Sequence, residues 1–210
     1  MRGSYRAPGG EVNQSTTFEG MAITPDDKDW TWVLDRLCGE CGFDASVFAV
    51  ETMPRYVIAL ANSWWRVLHR SNVRQRPSPD RWSALEYACH VRDVFRVFDQ
   101  RLEAMMSLDG AQFENWDQDI TAIDDRYHLQ DPEAVAQEVL ETGAQLATHF
   151  SRVQGSFWMH RGFRSNGSEF TVETLAKYLA HDPKHHLWDV GSDFVDTPSR
   201  HANVDGSKRG

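Results

Sequence analysis

Apolar residues recur at spacings of three and four in four separate stretches of this chain of 210 residues, the period that draws one stripe along an α-helix. The clearest stretch is 83–105, where Leu85, Ala88, Val91, Val94, Phe95, Phe98, Leu102 and Met105 share a face behind Ser83 and Glu86, spaced as a capping box. A first stripe over 51–69 carries Tyr56, Ile58, Leu60, Trp64, Val67 and Leu68, with Pro54 in the opening turn, where a missing N–H is tolerated. The third, 131–153, begins Asp131-Pro132-Glu133: an N-cap, a proline at the first helical position and an acid at the positive dipole end. It continues through Val135, Val139, Leu146 and Phe150. The fourth, 171–191, has Glu173 in its first turn, runs through Leu175, Tyr178, Leu179, Leu187 and Val190, and meets a stop signal at Gly191. Pro183 lies inside it; an interior proline bends or shortens a helix, and a bend there would re-aim His185.

Four striped helices predict an all-α four-helix bundle with at least one crossover connection. The acidic, aperiodic stretch 107–130 is expected to cross the bundle end as an ordered loop, and 156–172 to form a small hairpin turning around Ser165-Asn166-Gly167. Residues 1–25 and 191–210 lack periodicity and read as flexible tails flanking a helical domain at 26–190.

Composition narrows the partners. With 22 basic and 31 acidic residues the net charge is -9 and the pI about 5.4, which opposes a nucleic-acid role, because phosphate binding draws on Lys and Arg. No apolar run approaches the roughly 20 residues of a membrane span, and the first 20 residues have no hydrophobic signal core. The expectation is a cytoplasmic protein acting on a small molecule, alone or as a homodimer. Three cysteines make no disulfide framework.

The chemistry concentrates in histidine. His181 and His185 in YLAHDPKHHLWDV stand one helical turn apart, on one face and roughly 6 Å from each other, and His90 lies on the second striped helix. These three together predict a divalent metal site with one open position, the arrangement of a catalytic metal rather than a closed structural one. His186 projects about 100° from His185 and reads as a supporting or packing residue. Tyr87 and Tyr178 each precede a proposed ligand by three residues and are candidate catalytic groups lining the pocket. Asp117, beside Trp116 in the acidic stretch, is a candidate proton relay, with Trp116 over the pocket. Arg92 and Arg96 near His90, and Arg161 and Arg164 on the hairpin, are candidate substrate-binding residues for carboxylates or hydroxyls. The acidic stretch lacks the ordered D-x-D-x-D-G of a calcium loop. Cys38 and Cys41 form a single CxxC knuckle. A structural zinc site wants a second pair or two histidines, a redox CxxC wants a strand and then a helix, and a loop in which the two cysteines pack is the expectation.

WSALEYACHVRDVF, the long acidic connection, and FTVETLAKYLAHDPKHHLWDV together resemble the DinB / YfiT-like superfamily over about residues 50–190. The resemblance implies a four-helix bundle and a divalent metal, zinc or nickel among others, on three histidines that map to His90, His181 and His185. It further implies a transferase that activates a low-molecular-weight thiol such as mycothiol for attack on a small electrophile. A metal-dependent isomerase, cyclase or hydrolase and a non-catalytic metal-binding stress protein are the alternatives. The chain departs from the family pattern in HHLWDV, where HRGQ often stands, and in Pro183.

Overall fold

The structure, a computed structural model, describes Ile23 and residues 29–194, so the two expected tails fall almost wholly outside the described residues. A 3-10 turn at Trp30–Leu34 is followed by helix α1 (Met53–Leu68), α2 (Ala84–Ser107), a short α3 (Gln118–Asp124), α4 (Pro132–Phe150) and α5 (Val172–Asp189). The four long helices are the four sequence stripes, each within a few residues of its expected ends.

Local signals set those ends. The Ser83 hydroxyl accepts from the Glu86 amide and the Glu86 carboxylate accepts from the Ser83 amide, a closed capping box; Glu86 is also paired with Arg76. The Asp131 side chain accepts from the Ala134 amide. Thr171 caps α5 with Thr174 rather than Glu173 as its reciprocal partner. Gly191, at φ 61°, closes α5 in a Schellman turn: its amide donates to Trp188 and that of Ser192 donates to Leu187.

Helix α4 packs along α1 and α2, and α5 lies against the same two helices on the far side. Leu60, Trp64, Phe95, Leu146 and Leu175 are fully buried where these faces meet. Helix α5 runs unbroken through Pro183, so of the alternatives the proline offered, an early end does not occur. The Trp64 indole donates to the Pro183 carbonyl at 3.1 Å and the Tyr56 hydroxyl to that of Ala180 at 3.4 Å. Helix α1 thereby holds α5 at the turn that carries the histidines.

The all-α expectation needs one correction. The hairpin forms, as β2 (Arg161–Arg164) and β3 (Glu169–Thr171), but β1 (Ala111–Phe113) from the expected loop adds to it in parallel, making a three-stranded sheet in the order β1-β2-β3. The rest of that connection folds too, as α3 and a 3-10 turn at Tyr127–Leu129.

At Gly143 α4 comes close to α1: an added Cβ would lie 2.9 Å from that of Ala61 and 3.4 Å from the Phe95 ring. Alanine would gain about 1 kcal/mol of helix propensity but force the helices apart. Gly143→Leu is expected to lower stability by about 1–3 kcal/mol through overpacking, read as a reduced urea midpoint.

Candidate metal centres

Successive residues of a helix diverge by about 100°, so HDPKHH contains two interleaved i, i+4 pairs, 181/185 and 182/186. They face different neighbours. Asp182 and His186 turn to α2, where they meet His90; His181 and His185 turn to Cys38 and Cys41 of the segment before α1. In each cluster the ligand atoms lie within 4.8 Å of one another. The three expected imidazoles therefore do not form one set. His90 stands in one cluster, His181 and His185 in the other, and Asp182 and His186 join His90 where His181 and His185 were expected.

In the first cluster His90 is 1% exposed and neither of its ring nitrogens has a hydrogen-bond partner. Its Nε2 stands 3.4 Å from Asp182 Oδ1, an oxygen equally without one. His186 Nε2 faces the same carboxylate at 3.8 Å, while its Nδ1 is 2.9 Å from Asp189 Oδ2. A carboxylate on the far ring nitrogen is the usual support of a metal-ligating histidine. Burial works to raise the Asp182 pKa, but the imidazoles of His90 and His186 hold its carboxyl well below the ordinary carboxylate range. Trp116 stacks on His90, centroids 5.4 Å apart and planes 5° from parallel.

In the second cluster Cys38 Sγ lies 3.6 Å from His185 Nδ1, and His185 Nε2 lies 3.5 Å from Glu40. His181 is 2% exposed with its Nε2 unpartnered, enclosed by Trp30, Trp32 and Phe43. Burial, then the neighbouring His185, depress the His181 pKa to about 4; burial likewise lowers His185. Both rings are neutral at pH 7, the form that coordinates metal.

A cleft of about 480 Å³ opens beside both clusters, lined by Trp30, Trp82, Tyr87 and Trp188 together with His186 of the first and His185 of the second; Glu40, Asp80, Asp119 and Asp189 against Arg81 make it acidic. A cavity of about 50 Å³, lined by Trp30, Gln118, Tyr178 and residues of both clusters, adjoins it. Tyr87 packs on His186 at 4.8 Å. Burial and the Asp182 carboxylate push the Tyr178 phenol up, against the pull of Arg164. Tyr87 and Trp116 thus sit against the first cluster, and Tyr178 borders the small cavity between the two.

The other expected residues do not. Asp117 is the N-cap of α3, accepting from the amides of Asp119 and Ile120, and does not border the cleft. Arg92 is 3% exposed and fully engaged, with both oxygens of Asp93, with Gln130 and with Glu138; Arg96 joins the same Asp93 and Glu138. Arg161 pairs with exposed Asp109, and Arg164 binds Asn166 and Ser168 across the hairpin turn. The arginine that sequence reasoning missed is Arg101: buried, it donates to the Glu114 carbonyl at 3.1 Å, lies over Phe98 and Phe113, and pairs with no carboxylate among the described residues. Burial lowers its pKa to about 10. It borders a cavity of about 280 Å³ on the Trp116 side.

The Arg92 network carries its own prediction. Burial works to raise the Asp93 pKa, but Arg92, the Tyr127 hydroxyl at 2.6 Å and Arg96 hold the carboxyl below its ordinary value. That stabilisation is present above the ordinary carboxylate pKa and lost as pH falls through the lowered one. Arg92→Ala leaves Asp93 buried without its bidentate partner and is expected to cost about 3 kcal/mol at pH 7, with the gap to wild type narrowing on acidification in denaturation series.

A long helical bundle with metal-type clusters on its last helix is the class this fold and site define. The chain belongs to the DinB superfamily, whose family model matches residues 55–190. Among solved structures it is similar to YfiT from Bacillus subtilis, described as "a probable metal-dependent hydrolase with an unusual four-helix bundle topology": the TM-score is 0.57 at 12% identity, over 82% of this chain and 95% of that one. No curated protein matches the chain. No helix among the described residues is long and apolar enough to cross a membrane.

Proposed function

We propose that this protein is a divalent-metal-dependent enzyme whose metal is held by His90, Asp182 and His186, and that it transfers a low-molecular-weight thiol to a small electrophile. One observation carries the metal: a buried histidine and a carboxylate oxygen face each other at 3.4 Å with no hydrogen-bond partner for either. Buried polar atoms left so cost about 1–3 kcal/mol each, and a cation removes that cost. Imidazole and carboxylate suit zinc, nickel or iron, and three protein ligands leave a position for a reactant.

Such an ion, when bound, acts as a Lewis acid that makes a coordinated thiol or water nucleophilic near neutral pH. The chain's own residues do the rest. Asp189 fixes the His186 ring through its Nδ1. The tryptophan walls offer stacking surfaces for a flat substrate. The acidic lining favours a neutral or cationic substrate over a polyanion. Tyr178, kept protonated by burial and the Asp182 carboxylate, offers a phenol O–H at the small cavity it shares with Asp182. The transfer forms a sulfur–carbon bond, expels the leaving group from that carbon with its electron pair, and releases the thiol proton to solvent through the cleft.

A second reading is hydrolysis, supported by the description of YfiT. Purified protein incubated with an alkyl halide fluorophore and a panel of mycothiol, bacillithiol and glutathione distinguishes the two. Thiol transfer predicts turnover that requires one thiol and is abolished in His90→Ala. Turnover of ester or amide substrates without thiol would overturn it in favour of hydrolysis.

A further inference from the structure

We propose that Cys38, Cys41, His181 and His185 form a second metal site, a closed Cys2His2 zinc centre that clamps the segment before α1 to the middle of α5. The CxxC knuckle lacks a second cysteine pair in the sequence, but the fold supplies the other acceptable complement, two histidines, from a helix 147 positions further along the chain.

The donor atoms have the right chemistry and spacing. Tetrahedral zinc, with Zn–S about 2.3 Å and Zn–N about 2.05 Å, places sulfur and nitrogen ligands roughly 3.6 Å apart. Cys38 Sγ and His185 Nδ1 are 3.6 Å apart, and all four donors fall within 4.8 Å of one another. His181, a member of this cluster, is 2% exposed, and its Nε2 has no hydrogen-bond partner. Glu40, inside the knuckle, sits 3.5 Å from the outward nitrogen of His185, the position of a carboxylate that orients a ligating ring. The knuckle itself is tightly wound: the Gly42 amide donates to the Cys38 carbonyl, the Cys38 amide donates to the Phe43 carbonyl, and Gly42 takes φ 67°, a conformation that favours glycine.

Four ligands close the coordination sphere, and two sulfurs with two nitrogens select zinc among divalent ions. A disulfide-exchange role fits less well. A redox CxxC opens a helix, whereas Cys38, buried, and Cys41, half-buried, lie in the irregular segment between Leu34 and Val50 beside two imidazoles. The centre's task follows from its position. By fixing the 181/185 face of α5 against the N-terminal segment, it fixes the 182/186 face against His90. Trp30, packed at 4.9 Å on His185, is carried by the same segment into the wall of the cleft.

Zinc-edge X-ray absorption and cobalt substitution test the site on wild-type protein, without reference to activity. The expected result is two metal equivalents per chain, sulfur scatterers at about 2.3 Å, and a near-ultraviolet sulfur-to-cobalt charge-transfer band. Cys41→Ser and His181→Ala are expected to drop to one equivalent, both with loss of that band, whereas His90→Ala keeps it. A zinc edge showing nitrogen and oxygen neighbours only, or cobalt protein without the band, would overturn the proposal even if every variant misfolds. Because the His90 cluster contains no sulfur, a failure of its metal assignment leaves the band in place and is read separately.

Discussion

A His90→Ala protein is expected to keep its fold and its thiolate-ligated ion, lose the other metal equivalent, and fall in turnover by at least about 10²-fold. Groups that only orient a ligand typically cost 10–100-fold in metal affinity or activity when removed, so loss of a ligand itself sets that range as a floor. The fold survives because the substitution deletes two buried nitrogens that have no hydrogen-bond partner; in the metal-free chain their removal offsets much of the cavity cost. His181→Ala separates this arrangement from a single three-histidine site. Were His90, His181 and His185 to share one ion, the two variants would lose the same equivalent and the same activity. With two sites, His181→Ala loses the sulfur-ligated ion and His90→Ala the other. Metal analysis of both, with the charge-transfer band as label, settles the assignment. Asp189→Asn, which removes the charge behind His186 but no ligand, should fall between wild type and His90→Ala.

Most of the helical framework was legible because its signals are local. The Ser83–Glu86 box, the Asp131-Pro132 start and the Gly191 stop each involve residues within one turn, and the structure places helix ends at all three. The sheet was only half legible. A hairpin about Gly167 is a short-range event, but β1 pairs with β2 across some fifty positions through three-residue strands, and Ala111-Gln112-Phe113 carries no alternation long enough to announce it. The site divides the same way. That the HDPKHH turn holds metal-type residues is evident from the sequence; which face of it meets His90 is set by how α5 rotates against α1 and α2. Histidine spacing alone leaves out Asp182, a carboxylate of ligand type that shares the His90 cluster with His186. The arginines failed for a related reason: Arg92 is adjacent to a ligand in sequence, yet its partners Gln130 and Glu138 arrive from 38 and 46 positions away and consume its donors.

Stripping metal from the wild-type protein with a strong chelator is expected to lower its melting temperature by roughly 8–16 °C and shift its tryptophan emission. An ion that binds only the folded chain stabilises it by RT ln(1 + [L]/Kd), about 4 kcal/mol at a thousand times Kd, and each kcal/mol moves the midpoint of a domain this size by about 2–4 °C. The Cys2His2 centre should supply most of the effect. Its ligands join residues 38–41 to 181–185, and without zinc the buried His181 Nε2 is left unsatisfied and the N-terminal segment loses its tie to α5. The gain is capped, since a CxxC pair retains some zinc affinity in the unfolded chain. Emission reports the event because Trp30 lies within 5.5 Å of both ring centroids, His181 and His185. Cys41→Ser should therefore begin near the melting temperature of stripped wild type and respond weakly to chelator. An equal response in the two proteins would place the stabilising ion at the His90 cluster instead.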